Sequence, residues 1–156
     1  MAGVRGPGKV AVTALEEKPA RIVFRVYGMP VAQGRPRAAR LPGGQIRVFD
    51  PTKSREWKQH VRAQAALYMA EGRTMFVEGP LEMTLFFELL RPKSAPRRIT
   101  MPAKKPDLSN MLKAVEDALC GVCYRDDSQI VRLRIEKRFG DKPGVAVAMW
   151  PAVENP

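Results

Sequence analysis

Between Lys105 and Val131 the chain carries the side chains whose types and spacing could do chemistry. Asp107 precedes an apolar helical stripe, and Asp126 and Asp127 follow that stripe after a glycine. The opposite face of the predicted helix carries Asn110, Lys113 and Asp117. Mg²⁺ prefers carboxylate oxygens, and a bound Mg²⁺ activates water and stabilises charge on a phosphate. The pattern predicts a metal site for phosphodiester cleavage, provided that the chain doubles back and brings the acids together.

Each of these side chains also has a purely structural interpretation. An aspartate before a helix commonly caps free backbone N–H groups, and from spacing alone this is the preferred interpretation of Asp107. Asp126 and Asp127 could form a turn before a strand. Lys113 and Asp117 could form an i to i+4 ion pair on a solvated face. Adjacent aspartates repel each other, however, so a nearby cation favours them.

Basic residues are concentrated in two stretches of a chain whose net charge is +11. Residues 91–106 hold six lysines and arginines and no acid, and residues 35–62 hold eight against two acids. Such clusters neutralise phosphates and release counterions, so nucleic acid is the first partner to consider. The predicted DNA contacts are Arg35, Arg37, Arg97, Arg98, Lys104 and Lys105. The alternatives are a solvated face, RNA or anionic lipid.

Length and composition narrow the class of protein. The 156 residues suit one domain, and no apolar run approaches the roughly 18 residues of a membrane helix. Residues 1–20 show neither periodicity nor a signal-peptide core, so we expect a flexible tail and then a domain over residues 21–156 in the cytoplasm. Cys120 and Cys123 follow a helix, which disfavours a redox or zinc motif and agrees with a reducing compartment.

Hydrophobic periodicity predicts a single α/β domain of the α+β type, with two main helices packed on a mixed sheet of four to five strands. Alternating apolar residues predict strands at residues 21–28, 46–50, 80–90, 131–139 and 144–150. Helical spacing predicts helices over residues 54–72 and 107–119. The strand at 80–90 is expected at the sheet centre, and the last two strands are expected to form a hairpin. Residues 31–45 and 91–106 are expected to be basic loops.

Two segments together resemble the RusA family of Holliday-junction resolvases, which are found largely in phages and prophages. KPDLSNMLKAVEDAL followed by YRDDSQIV is similar to the family signature, D-x-D-N, a lysine three residues on, an aspartate four later, and a D-D-x-Q-V strand start. Upstream, QGRPRAARLPGGQIRVFDPTKSREW resembles the basic G-R-P-R stretch and the segment after it in phage members. The resemblance covers roughly residues 22–150, nearly the whole expected domain.

The resemblance implies a role for each residue of the signature. The implied catalytic residues are Asp107, Asp127 and Lys113, with the lysine stabilising charge on the phosphate. The implied metal ligands are Asp107, Asp127 and Asp126, and the supporting residues are Asn110, Asp117 and Ser109. The implied cofactor is Mg²⁺, with Mn²⁺ as a substitute. The implied partners are branched DNA with four arms and a second copy of the chain, since symmetric nicks suit a two-fold dimer; no membrane and no small-molecule substrate is implied.

Ser109 departs from the family, because many members carry a second catalytic aspartate at this position. A neutral hydroxyl is a poorer ligand than a carboxylate, so the site should hold Mg²⁺ more weakly unless Asp126, Asp117 or water compensates. We expect an endonuclease of a bacterial host or prophage that resolves Holliday junctions by paired nicks in recombination and repair. The alternative is a DNA-binding module with weak or lost cleavage, and the third class is a basic interaction protein of a ribosome or phage particle.

Overall fold

Six strands and two main helices make up the part of the chain that the structure describes, residues 20–154 of a computed structural model. In chain order they are β1 (Ile22–Tyr27), β2 (Arg37–Arg40), β3 (Ile46–Phe49), α1 (Thr52–Met69), β4 (Leu81–Leu90), α2 (Leu108–Leu119), β5 (Ile130–Gly140) and β6 (Gly144–Pro151). The predicted N-terminal tail lies outside the described residues except for Ala20. Within residues 20–154, no helix has the length and apolar content needed to cross a bilayer.

A mixed sheet with the strand order β1-β6-β4-β5 forms the centre of the fold. β4 runs antiparallel to β6 and parallel to β5, and β6 runs antiparallel to β1. β4 alternates buried and half-buried residues along nearly its whole length, so one of its faces packs in the core. It pairs with β5 along one edge and with β6 along the other, which confirms its predicted interior position. The predicted α+β domain with a mixed sheet and two main helices is also confirmed.

Both helices cover one face of this sheet and contact each other. Their apolar stripes meet the inward residues of β4 and β6 in one continuous core. The buried helix residues include Trp57, Val61, Ala65, Met111, Val115 and Leu119. The helix α2 is therefore fixed along its length by packing, and its polar face turns to solvent.

β2 and β3 form a separate two-stranded ribbon. The strand predicted at residues 46–50 is present, but the prediction that residues 31–45 are only a loop is wrong, because β2 pairs with β3 through this segment. A tight turn joins the two strands, with Leu41 N–H donating to Gln45 O at 2.7 Å. The ribbon residues are almost all exposed, including the apolar side chains of Ile46 and Val48 on one of its faces.

The predicted hairpin of β5 and β6 is wrong, because β4 lies between these two strands. Gly140 at the end of β5 is opposite Leu90, and Gly144 at the start of β6 is opposite Glu88, so the chain crosses the end of β4 in three residues. Burial explains the arrangement. β6 places Val145, Val147 and Met149 in the core, whereas β5 is mostly exposed and takes the edge.

Glu88 holds this crossing in place. Its carboxylate accepts hydrogen bonds from Lys142 N–H at 2.9 Å and from Arg25 Nη2 at 3.2 Å. The hydrogen bond from Lys142 and the Arg25 guanidinium lower the pKa of Glu88, which keeps the carboxylate charged. Gly140 packs so tightly against this side chain that a Cβ atom there would lie 2.1 Å from Glu88 Oε1.

Gly140→Ala should therefore lower the free energy of unfolding by about 1–3 kcal/mol, since the new methyl group displaces Glu88 from Lys142. Urea denaturation measures the change. The matched control is Asp141→Ala, an exposed position in the same turn, which should change the free energy by less than about 0.5 kcal/mol. A Gly140→Ala variant as stable as the control would show that Glu88 does not hold the crossing.

Candidate active site

Asp107 occupies the N-cap position of α2 but does not cap the helix with its side chain. Its backbone is extended, and its carboxylate makes no hydrogen bond to a helix N–H. Among the described residues its side-chain contact is Asn110 Nδ2, 3.5 Å from Oδ2, the limit of a hydrogen bond. The capping interpretation is thus wrong for the carboxylate, which is exposed and open to a ligand.

The basic loop, residues 91–106, leads directly to Asp107. Lys137 of β5 fixes the end of the loop, with Nζ donating to Lys104 O at 2.8 Å and to Pro106 O at 2.9 Å. Because this lysine binds two carbonyls, the backbone just before Asp107 is held against the end of β5. The cations of the loop and the Asp107 carboxylate therefore belong to one surface.

Asp126 performs a structural task. It caps a short 3-10 turn over residues 127–129 by accepting from Ser128 N–H at 2.8 Å, and the Gln129 side chain returns to Asp126 N–H at 3.0 Å. These two bonds form a capping box. The Ser128 hydrogen bond lowers the pKa of Asp126. The structural interpretation that the sequence left open therefore holds for Asp126, whose carboxylate is engaged.

Asp127 is oriented by a buried tyrosine. The Tyr124 hydroxyl lies 2.9 Å from Asp127 Oδ1 and 3.0 Å from Glu116 O, and the Tyr124 side chain is fully buried. Burial, followed by the hydrogen bond with Asp127, raises the pKa of Tyr124, so the hydroxyl remains a donor. The core therefore fixes Asp127 beside the C-terminal part of α2.

The two principal acids do not meet within one copy of the chain. Asp127 lies beside Glu116, which is nine residues after Asp107, and a helix advances about 1.5 Å per residue, or roughly 14 Å over this span. Mg²⁺ binds oxygens at about 2.1 Å, so one ion cannot contact both carboxylates. Residues 20–154 hold no group of three or more His, Cys, Asp or Glu residues suited to a metal. The expected convergence is thus wrong for a single copy, because the rigid helix α2 separates the acids.

A second acidic group surrounds Asp127 instead. Burial raises the pKa of Glu116, and the nearby charges of Asp127 and Asp117 raise it further. The sequence reasoning missed Glu116 and Tyr124. The signal for Glu116 was its place at the border of the apolar stripe, and the signal for Tyr124 was its spacing of three residues from Asp127.

The ion pair of Lys113 with Asp117, the purely structural alternative for these residues, is absent from the described structure. Asp117 Oδ2 instead lies 3.8 Å from Lys58 Nζ, and Lys58 also bonds to Asp50. Lys113 is exposed and has no ion-pair partner among residues 20–154, so its amine remains available for a phosphate. Asn110 lies on the same exposed face, one turn towards Asp107.

The change at Ser109 is not compensated within one copy. Ser109 is exposed in the first turn of α2, and Asp117 follows it by eight residues, about 12 Å along the helix. Asp126 has one carboxylate oxygen in the cap of the 3-10 turn, which follows the C-terminal end of α2. The Asp107 end of α2 therefore contributes one carboxylate fewer than the family pattern.

All six predicted DNA contacts are exposed, and none has an ion-pair or side-chain hydrogen-bond partner in the part of the chain that is described. Arg35 and Arg37 lie at the base of the ribbon, and the other four lie in the basic loop. Uncompensated guanidinium and ammonium groups leave a positive surface.

The cysteines do not join the site chemistry, because burial raises the pKa of Cys123 to about 12 and also raises that of Cys120.

Glu116→Gln should raise the melting temperature at pH 7 by roughly 1–3 °C, because it removes a half-buried charge facing Asp127 and Asp117. A carboxyl group whose pKa is raised on folding destabilises the folded protein as the pH rises above the pKa that the group has in the unfolded chain. The difference in melting temperature between Glu116→Gln and wild type should therefore vanish near pH 4. Thermal unfolding at both pH values measures this. A gain of the same size at pH 4 and pH 7 would contradict the electrostatic cause.

Two comparisons with known proteins bear on the family of the chain. The family described as Endodeoxyribonuclease RusA matches residues 28–149, which is most of the chain and includes every strand except β1 and the end of β6. The chain is also 38% identical over 136 residues to YqaN of Bacillus subtilis (strain 168), a relative whose name calls it uncharacterized, and the match covers 81% of this chain and 93% of that protein. The resemblance seen in the sequence is confirmed: the chain belongs to the RusA family of endodeoxyribonucleases.

Proposed function

We propose that the protein is a Mg²⁺-dependent endonuclease that resolves four-way DNA junctions by paired nicks, in recombination and repair. The observation that carries the proposal is the uncapped, exposed carboxylate of Asp107 at the end of a basic loop without acids. A carboxylate left open beside uncompensated cations suits a metal ion and a phosphodiester. Membership of the family supports the reaction class.

Several residues have separate tasks in this proposal. The cations of the ribbon and the basic loop neutralise DNA phosphates, and a two-stranded ribbon has the size that enters a major groove. Lys113, free on the exposed face of α2, stabilises charge on the scissile phosphate. Mg²⁺, or Mn²⁺ in its place, would supply the activation of water. Within residues 20–154, the carboxylates of one copy form no group of three or more ligands for this ion.

The proposal therefore includes a homodimer in which the second copy completes the site. β5 is the outer strand of the sheet. Near the end of β5, the backbone N–H of Phe139 donates to Thr100 O at 3.1 Å, so this N–H is directed away from β4. Backbone groups alternate between the edges of a strand, so Leu133 and Ile135 also direct their N–H and C=O groups outward. Leu133 is 41% exposed, as expected for an edge that another strand can cover.

Antiparallel pairing of two β5 strands would bring opposite ends of the two copies together. Centred on Arg134, it places Leu133 opposite Ile135 and Arg132 opposite Glu136 of the second copy, which are favourable cross-strand pairs. Asp127 precedes β5, whereas Lys137 ties the residue before Asp107 to the other end. Asp127 of one copy would then lie towards Asp107 of the other, at two symmetric positions.

The other edge of the sheet suits this pairing less well. On β1, Val23 N–H already donates to the Tyr68 hydroxyl at 3.0 Å, so the edge is partly satisfied by α1.

We place the enzyme in the cytoplasm of a bacterial cell, as a host or prophage protein. The two free cysteines support a reducing compartment.

Asp107→Asn and Asp127→Asn should each reduce nicking of a labelled four-way junction by roughly 100-fold or more, since each removes a charge at the reacting phosphate. Gel assays with Mg²⁺, Mn²⁺ or EDTA measure cleavage. Junction binding in Ca²⁺ should change less than about two-fold, since the basic residues that provide most of the affinity are intact. The matched control is Asp141→Asn, an exposed acid in the turn after β5, which should cut like wild type. A wild-type protein that binds junctions but never nicks them would favour the DNA-binding module instead.

Mixing Asp107→Asn with Asp127→Asn protein should restore nicking to a clear fraction of the wild-type rate. If each site takes one acid from each copy, a mixed dimer has one intact site and one doubly altered site. If both acids act within one copy, the mixed dimer has none. Single-strand nicks without paired cleavage are therefore the expected product, and a mixture as inactive as its components would refute the shared site.

Leu133→Pro tests the edge itself. Proline removes the outward N–H without removing a hydrogen bond to β4, so the variant should be monomeric by light scattering and should not nick. Leu133→Lys provides a second variant should proline disturb the strand. Val23→Lys on β1 is the matched control, because Val23 is also an exposed apolar strand residue, and it should remain a dimer.

A further inference from the structure

An apolar groove lies between the basic loop and the ends of β4 and β5. Its volume is about 400 Å³, within the range of sites that bind small molecules or peptide side chains. The walls include Met29, Leu89, Leu90, Pro96, Ile99 and Phe139. Neither the proposed cleavage nor the proposed dimer uses these side chains.

The groove is formed in advance by a braced loop. Arg91 donates to Pro96 O at 2.8 Å and also bonds to Ile99 O, and its guanidinium lies 5.0 Å from the centre of the Phe139 ring. Two tight turns, Ala95 N–H to Pro92 O and Ile99 N–H to Pro96 O, stiffen the wall at 3.0 Å each. A ligand would therefore bind without first ordering the loop.

Large apolar side chains around the groove are left in water. Met101 is 76% exposed, Met29 50%, Leu90 47% and Ile99 42%. Single exposed apolar residues are common, but a contiguous group around a preformed groove marks an interaction site. The two methionines offer flexible apolar contacts that suit aliphatic and aromatic side chains of a peptide.

The charge around the groove is of one sign. Lys104 and Lys105 line it, Arg97 and Arg98 lie in the same loop, and residues 91–106 contain no acid. Among the described residues these four cations have no ion-pair partner. A ligand that covers the apolar walls therefore gains most if it also carries negative charge.

We propose that this groove binds an acidic peptide segment of another protein through apolar anchor side chains, with its carboxylates on the basic rim. A second copy of this chain is a poor occupant, because the proposed dimer places it along β5 and leaves the side chains of the groove uncovered. Nucleobases are poor occupants as well, because they stack on open aromatic faces, and the groove has one aromatic side chain, Phe139, whose ring is covered by Arg91.

Peptide binding at this groove would compete with DNA. The same four cations that face the peptide are among the predicted phosphate contacts, so a bound acidic segment and a junction arm exclude each other from the loop. An acidic partner could then deliver the protein to its site of action and be displaced by DNA there. The groove itself does not depend on cleavage, so its test stands apart from the nuclease assays.

Fluorescence anisotropy of the full-length protein with a short fluorescein-labelled peptide, alternating Asp and Glu with Leu and Phe, tests the proposal. The double variant Ile99→Ser/Met101→Ser removes apolar surface without changing charge, so it should weaken peptide binding by about ten-fold or more. A labelled oligo(dT) should bind this variant within about two-fold of wild type. The matched control is Val153→Ser, at an exposed apolar residue outside the groove, which should bind the peptide like wild type.

Two further results decide the outcome. The same peptide with Asn and Gln in place of its acids should bind much more weakly, and unlabelled four-way junction should displace the acidic peptide. Equal binding of the double variant and wild type would overturn the assignment, as would a neutral peptide that binds as well as the acidic one. A double variant that loses oligo(dT) as strongly as peptide would assign the groove to nucleic acid.

Discussion

The rigid length of α2 is the constraint on which the candidate site depends. Core packing on β4 and α1 fixes the helix, and the buried Tyr124 hydroxyl fixes Asp127 beside its C-terminal part. Asp107 stays at the N-terminal end, held by Lys137 through the backbone of the preceding residue. The rise of α2 between Asp107 and Glu116, the residue beside Asp127, is roughly 14 Å and keeps the two acids at different ends of the helix. In the proposed function a cation shared by both acids would therefore need a second copy of the chain, for which the outer edge of β5 is the proposed place.

Hydrophobic periodicity predicted the strands and helices whose apolar residues recur at a regular spacing along the chain. The strict alternation of β4 and the apolar stripe of α2 are each readable from neighbouring residues, and both lie where they were expected. The sequence did not predict that the connection from β5 to β6 crosses the end of β4. Three residues and a glycine resemble a hairpin turn in sequence, and only the distant Glu88, bound to Lys142, shows that the chain passes over another strand.

The candidate site was predicted in composition but not in arrangement. The residue types around Asp107 and Asp127 pointed to phosphate chemistry, yet spacing could not separate Asp126, which caps a turn, from its neighbour, which does not. It also could not show that Asp107 leaves its helix uncapped. Both distinctions depend on the direction of an aspartate side chain, which residues distant in the sequence help to set. One example is the Phe76 carbonyl, which accepts a hydrogen bond from the Gln129 side chain of the capping box.

Tyr124 offers one hydrogen to two acceptors, Glu116 O and Asp127 Oδ1, and cannot satisfy both at once. A ligand on Asp127 Oδ1 would leave the Glu116 carbonyl as an acceptor for that hydrogen. The buried hydroxyl would therefore keep a hydrogen-bond partner whether or not the neighbouring carboxylate binds a ligand.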